Sequence, residues 1–407
     1  MSRDSHPDSD QQVAVPCSLY RGGTSRGLLI LRRDLPRHRA TIERALLRMF
    51  GSPDPRQIDG VGAGSPLTSK AMIVEPAETP GDDVQMTFAQ VSVDTETVDW
   101  GGTCGNLTSA VGVFAIESGL VPAVAPVTVV RIRSINTGKR VAVHIPVRNG
   151  QVITEGAFAI PGVPRSGARV DLEWLEPAGA VTGKLLPTGR VRDLVTLADG
   201  RELDVSVVDA VNPVAFCEAG ALGLRGTESA DQLAERPDVL HALEQIRSAA
   251  AELAGIVGAR DVATRVSPGV PKVAFVAPPA AYTTVTGTSL DGGTHDIQAR
   301  LMSMQVPHRS YSVSGAICTA VAASIPGTVV ADCVRAPVDD RVPFCIAHPY
   351  GVIDVRLDLD ASAAGPPAIK SARVGRTARR IMSGLVYVPA SVLLDGADRE
   401  DGHGRRA

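Results

Sequence analysis

Residues 103–121 read TCGNLTSAVGVFAIESGLV, and residues 311–329 read YSVSGAICTAVAASIPGTV. Set against each other at an offset of 208 positions, Val113 meets Val321, Ala115 meets Ala323, Gly119 meets Gly327 and Val121 meets Val329. Each stretch opens with a polar turn and continues in small apolar residues. Residues 106–116 read as a buried helix stopped by Gly119. Residues 312–330 read as a second buried helix followed by a turn. Ser324, Pro326 and Gly327 in that run count against a membrane span. Small side chains let a helix pack closely against a sheet. The repeat therefore predicts two similar domains, each wrapping a sheet around a buried helix. The competing account is chance matching of two Ala- and Val-rich helices.

The flanking sequence supplies the strands. Residues 13–33 read as strand, Gly-rich turn, strand, and residues 37–50 as an amphipathic helix. Residues 51–69 form a long loop of the kind that usually carries function. Strands are expected at 71–74, 84–93, 127–135 and 141–147. A second half begins near Gly189 with the strand run VSVVDAVNPVAFCEA. Residues 229–257 are amphipathic, with Pro237 either in the first turn of a helix or between two helical pieces. A strand at 271–279, a helix at 299–306 and strands near 343–346 and 352–357 complete the reading.

Composition sets the class. The 407 residues suffice for two domains, and 44% apolar with 21% charged residues is a globular balance. A net charge of −3 argues against a broad nucleic-acid-binding face but permits a local basic pocket. The six Cys (17, 104, 217, 318, 333 and 345) include no CxxC pair and no zinc-type spacing to His, so no metal is expected. They read as reduced thiols of a cytoplasmic protein. The start, MSRDSHPDSDQQ, lacks the apolar stretch of a signal peptide. Residues 1–12 and 392–407 are expected to be disordered.

Three places can carry chemistry. Cys104 lies in Gly-Gly-Thr-Cys-Gly-Asn just before a helix, where orphan N–H groups and the helix dipole favour thiolates and bound carboxylates. An inert core thiol is the ordinary alternative, and it is preferred for Cys17, Cys217, Cys333 and Cys345. Lys70 sits where the 51–69 loop enters an apolar strand, so it is either a surface lysine or a desolvated acid/base group flanked by Thr68 and Ser69. Arg21-Gly-Gly-Thr-Ser-Arg-Gly27 offers backbone N–H groups, hydroxyls and guanidiniums to an anion, or is simply a Gly-rich hairpin. It is neither a Walker loop nor a dinucleotide fingerprint. His308 and His348 are single histidines, each able to contact an anion or to serve structure. No GxSxG elbow and no HExxH motif is present.

Taken together, these residues resemble the PrpF family, whose members resemble diaminopimelate epimerase in fold. The matching runs are RGGTSRG at 21–27, GSPDPRQIDGVGAGSPLTSK at 51–70, CGN at 104–106, NTGK at 136–139, LLPTGRVRD at 185–193 and VDAVNP at 208–213. VPK at 270–272, IPGT at 325–328, HPYG at 348–351 and RTARRIMSGLVYVP at 376–389 follow in order. The resemblance implies an α+β fold of two diaminopimelate-epimerase-like domains, each a β-barrel-like sheet around a central helix, with the site in the interdomain cleft. The N-terminal domain would span 1–187, completed by a strand near 381–391, and the C-terminal domain 188–380.

The resemblance further implies a cofactor-independent isomerase of an unsaturated di- or tricarboxylate. Family activities include cis–trans isomerisation of 2-methylaconitate, the allylic shift of methylitaconate and tautomerisation of 4-oxalomesaconate. Lys70 and Cys104 match the proposed proton-moving residues. Arg21, Gly22, Gly23, Thr24, Ser25, Thr68, Ser69, Gly105, Asn106, Lys272, His308 and Ser312 are the expected substrate contacts. The repeat sets Ser312, not a Cys, opposite Cys104, which disfavours a two-thiol racemase or epimerase. Arg26 stands where many members carry Lys. The expected partners are a small polycarboxylate and a second copy in a homodimer, without nucleic acid or membrane. A non-catalytic helper of an aconitase-like dehydratase is the alternative from another class.

Overall fold

The computed structural model describes residues 11–360 and 367–393. Strand Gln12–Gly22 turns back antiparallel onto Ser25–Leu31, with Gly22 opposite Ser25. Ser25–Leu31 runs parallel to Lys70–Pro76, with Leu28 opposite Ala71. A parallel pair needs a crossover. Here it consists of the helix Arg39–Phe50 and the irregular loop 51–69. Lys70–Pro76 pairs antiparallel with Val84–Val91, which sets Lys70 beside Gln90. Val84–Val91 in turn runs parallel to Val127–Ser134. The crossover between those two strands is the first buried helix, Gly105–Glu117, and Arg140–Arg148 pairs antiparallel beyond it.

The second half of the chain repeats this order of pairings. Glu202–Ala210 turns back onto Asn212–Glu218, which runs parallel to Lys272–Ala277 with Val214 opposite Lys272. The crossover contains helices Ala230–Ala234 and Pro237–Leu253. Pro237 occupies the first turn of the longer helix and also divides the two, so both sequence expectations hold. Lys272–Ala277 pairs antiparallel with Ile297–Ser303, and Ile297–Ser303 runs parallel to Phe344–His348. Between those lies the second buried helix, Val313–Ala323. Phe344–His348 turns back onto Gly351–Asp360.

Strand Ala368–Arg376 joins the two runs, because it pairs with Gly351–Asp360 on one side and Val170–Leu175 on the other. Ala378–Pro389 then closes antiparallel onto Gln12–Gly22. The result is a mixed α/β fold with a large sheet. All residues from Gly105 to Ile116 and from Val313 to Ala323 are buried. A helix apolar on every side belongs inside a protein, and one continuous apolar core surrounds both helices, from Leu107 and Phe114 to Ile317 and Val321. A Cβ on Gly112 would come within 2.8 Å of Ile145 Cδ1, so the helix meets its sheet at the limit of contact. Overfilling such a spot costs about 1–3 kcal/mol.

Three expectations need correction. Residues 299–306 are not helical. They belong to strand Ile297–Ser303 and the short strand Val306–Pro307, because pairing on both sides overrides the helical preference of Leu301 and Met302. The expected disorder through residue 12 stops short, since Gln12 already pairs with Pro389 and Gln11 O accepts from Ala390 N. Residues 392 and 393 lie in a helical turn, Ala390–Leu393. The remainder of both expected disordered ends, 1–10 and 394–407, lies outside the described residues. No helix among the described residues is long and apolar enough to cross a membrane.

Candidate active site

The two buried helices begin side by side. Cys104 caps the first, its Sγ accepting from Leu107 N at 3.4 Å. Ser312 caps the second, its Oγ accepting from Gly315 N at 3.0 Å. A Cβ on Gly105 would lie 2.8 Å from Val313 Cβ, so the helix starts abut. Asn212 ties them together: its Oδ1 accepts from Thr103 N at 3.1 Å, and its Nδ2 donates to Thr103 O at 2.9 Å and Ser314 Oγ at 3.2 Å. Both helix starts line one cavity with Ser25, Lys70, Gln90, Asp99, Lys272, Ser303 and His308. Two helix N-termini facing one space make it attractive to negative charge.

The lysines strengthen that bias. Lys70 opens strand Lys70–Pro76 and is 5% exposed. Its Nζ donates to Gln90 Oε1 and lies 5.5 Å from the Phe88 ring centroid. Gln90 is held in turn by Pro66 O at 3.1 Å and Ser69 O at 3.0 Å. Burial lowers the Lys70 pKa, and Cys104 opposes that shift through its charge. Lys272 opens the equivalent strand of the second run. Its pKa is pushed down to about 8, first by burial and next by Lys70. Among the described residues Asp99 is the one carboxylate in the lining, and it is already engaged by Gly101 N and Gly269 N, each at 2.7 Å. His308 is pushed down to about 3 by burial and then by Lys70, so the ring is neutral at pH 7. Its Nδ1 accepts from Ser310 N at 3.1 Å, which leaves the ring proton on Nε2.

Of the residues expected from sequence, Ser25, Lys70, Cys104, Gly105, Asn106, Lys272, His308 and Ser312 line this cavity. Ser25 Oγ lies 3.8 Å from Cys104 Sγ. Arg21, Gly22, Gly23, Thr24, Thr68 and Ser69 do not line it. Arg21 Nη1 is bonded to Gly23 O at 3.1 Å and Thr377 O at 2.8 Å, which makes it a brace for the turn. Gly22 and Gly23 are needed for close approach, because Cβ atoms there would fall 2.6 Å from Asn106 O and 2.1 Å from Asn106 Oδ1. Thr24 Oγ1 faces Ser310 Oγ at 3.1 Å. Thr68 Oγ1 bonds Ser65 O at 3.1 Å, and Ser69 Oγ bonds Gln57 Oε1 and Ser65 O, both at 2.8 Å. These hydroxyls fold the loop. Cys318 packs inside the second helix with Sγ 3.2 Å from Val208 O, and burial raises its pKa.

Sequence reading missed Gln90, Asp99, Asn212, Ser303 and Ser314, and with them the apolar wall of Phe88, Val270 and Met304. Asn212 lies within the run VDAVNP, yet its isolation there gives no hint of Thr103 or Ser314. Gln90 and Ser303 answer to one another in the two runs, next to Lys70 and Lys272. Only the pairing of the strands reveals that.

Known proteins resemble the chain over nearly its whole described length. The family model described as PrpF protein matches residues 12–389. The chain is 40% identical to 3-methylitaconate isomerase of Eubacterium barkeri, over 94% of this chain and 99% of that one. It is 37% identical to (4E)-oxalomesaconate Delta-isomerase of Novosphingobium sp. (strain KA1), over 95% and 99%. It is 36% identical to 2-methyl-aconitate isomerase of Cupriavidus necator, over 93% and 98%. A crystal structure of methylitaconate-delta-isomerase superposes with a TM-score of 0.75, covering 95% of this chain and 98% of the other at 40% identity. A probable proline racemase from Agrobacterium radiobacter K84 shares the fold alone, with a TM-score of 0.54 at 14% identity, covering 95% and 97%.

Proposed function

The chain belongs to the PrpF family and is an isomerase; we propose that it moves a proton within an unsaturated di- or tricarboxylate, without a cofactor. The observation that carries this reading is the charge of the cavity. Two lysines and two helix N-termini face one carboxylate, and that carboxylate is occupied by backbone N–H groups. A substrate with two or three carboxylates supplies the missing negative charge. Relatives named as isomerases favour this reading over a helper without turnover.

In this reading residues 12–187 with the returning strand Ala378–Pro389 form one domain and residues 188–377 the other, and the substrate lies in the cleft between them. Cys104 and Lys70 come from the first, Lys272, His308 and Ser312 from the second. A proton leaves a carbon adjacent or conjugated to a carboxylate. The electron pair delocalises into a dienolate, and a proton returns at another carbon or after bond rotation. Lys70 and Cys104 carry the proton between them. Lys70 suits this role because burial brings the loss of its proton closer to neutral pH. The N–H groups at the two helix starts, Ser25 and the Nε2–H of His308 are the donors for the carboxylates and the developing enolate oxygen. Ser312 at the position opposite Cys104 supports isomerisation over two-thiol epimerisation.

The test is turnover by the purified protein alone. Given separately 2-methylaconitate, 3-methylitaconate and 4-oxalomesaconate and followed by proton NMR, it should convert at least one to its isomer. Conversion of none, alongside racemisation of proline or hydroxyproline, would overturn the proposal.

A further inference from the structure

Arg376 ends strand Ala368–Arg376 and is 4% exposed. It is absent from the lining of the cavity described above and lines a separate one with Thr24, Ser310 and Asp354. Its Nε donates to Asn106 Oδ1 at 3.1 Å and its Nη1 to Gly375 O at 2.7 Å. Thr24 N donates to the same Asn106 oxygen at 3.3 Å. Two N–H donors on one oxygen decide which way the amide faces, because turning it over would set its NH2 against both. Asn106 lines the cavity, and no hydrogen bond runs from its Nδ2 to another described residue. The neighbouring Thr377 O accepts from Gly23 N at 2.9 Å and Arg21 Nη1 at 2.8 Å. Residues 376 and 377 therefore hold the Gly23 turn and the Asn106 amide as one unit.

No carboxylate forms an ion pair with Arg376 among the described residues; Asp354 acts on it through space. A buried guanidinium without such a partner is unfavourable in the empty protein. We propose that Arg376 is the positioning residue of a carboxylate subsite at Asn106. It holds the amide with its NH2 turned into the cavity, where that NH2 donates to a carboxylate oxygen of the substrate. The inference rests on the reading of the cavity as a polycarboxylate site and adds to it a residue that touches no substrate. A substrate carboxylate beside Asn106 also brings negative charge toward the Arg376 guanidinium, one amide away.

Steady-state kinetics on the full-length protein tests this, starting with whichever of the three acids the wild type converts. Arg376→Gln should raise KM about tenfold or more, the scale of a lost hydrogen bond to a charged group, with kcat changed less than about threefold. Arg376→Lys should fall between, since an ammonium can still donate to Asn106 Oδ1. Adding Arg376→Gln to Asn106→Ala should change KM little further, because the amide that Arg376 holds is already gone. A purely structural arginine would lower the melting temperature, leave KM at its wild-type value and add its effect in full to that of Asn106→Ala; that result overturns the proposal. Should Arg376→Gln fail to fold, Asn106→Asp decides. It keeps an acceptor oxygen for Arg376 and Thr24 but replaces the NH2 with an oxygen, so KM should rise about a hundredfold by the same reasoning. A wild-type KM in Asn106→Asp overturns the proposal. A wild type that converts none of the acids and gains no thermal protection from tricarballylate sinks the site reading as well. An active wild type with unaffected variants sinks the Arg376 role alone.

Discussion

Gly23 shows how tightly single residues are set around the site. Its φ is +51°, and a Cβ there would fall 2.1 Å from Asn106 Oδ1. Gly183 is also left-handed, at +77°, but a Cβ there meets nothing within 4 Å. Gly183→Ala should therefore lose only about 1 kcal/mol from backbone strain and keep full turnover. Gly23→Ala should lose about 1–3 kcal/mol and most of its activity, because the Asn106 amide must move. Urea unfolding and kcat/KM on the same preparations check both. Lys70, Cys104 and Ser25 were legible in sequence because each stands where a Gly-rich run meets an apolar one. Arg21, Thr68 and Ser69 stand in the same runs and turn out to brace them. A short motif indicates where the chain is constrained, but whether a side chain faces the ligand or the fold depends on partners far away, such as Thr377 for Arg21.

At the scale of elements, the equivalence of the two halves is closer in pairing than in sequence. Leu28 opposite Ala71 and Ala215 opposite Val273 occupy matching registers one residue after Lys70 and Lys272, and the two buried helices fill matching crossovers. The helix repeat was visible because both segments are short and rich in Ala and Val. The Lys70–Lys272 equivalence was not, because the crossovers between hairpin and lysine strand differ in composition and length. Residues 299–306 of the hairpin Ile297–Ser303 with Val306–Pro307 read as helix in sequence for the same reason: its identity lies in its partners. Its two connecting residues, Met304 and Gln305, have φ of +54° and +59°. Such two-residue turns favour Asn-Gly over any pair with large side chains. Met304 lines the cavity beside Val270, an apolar wall suited to the hydrocarbon part of a substrate. The double change Met304→Asn with Gln305→Gly should raise unfolding stability by about 1 kcal/mol or more. The same change should lower kcat/KM. A stabilised turn with unchanged kinetics would show that Met304 does not serve the site.

For the whole molecule, the cavity's charge has consequences that stability measurements can read. Lys272 titrates at about 8 in the folded protein against an ordinary 10.5. Between those values the unfolded chain holds the extra proton, so this residue's contribution to stability rises with pH across that window. Buried thiols act in the opposite sense above about pH 9; Cys217 is pushed up to about 12 by burial. The clean quantity is thus the wild-type stability minus that of Lys272→Met, which should grow from pH 8 to pH 10.5. A flat difference would mean that Lys272 is not desolvated. The unreactive tricarballylate should stabilise the wild type by about 2.7 kcal/mol at a hundredfold excess over Kd, more than butyrate at equal ionic strength. Lys272→Met should reduce that gain more than Arg21→Ala, since Arg21 is committed to backbone carbonyls and reaches the Asn106 amide only through the turn it braces.

The proposed roles of Lys70 and Cys104 in moving the substrate proton can be read at the reacting carbon itself. Solvent-deuterium exchange in D2O tests them most directly, with the converted acid as substrate and NMR reporting both deuterium entry and turnover. In the wild type, solvent deuterium should appear at the carbon that receives the proton. Lys70→Ala and Cys104→Ala, both still folded, should slow exchange and turnover by about 10²–10⁴. Wild-type rates of exchange and turnover in both variants would contradict these roles.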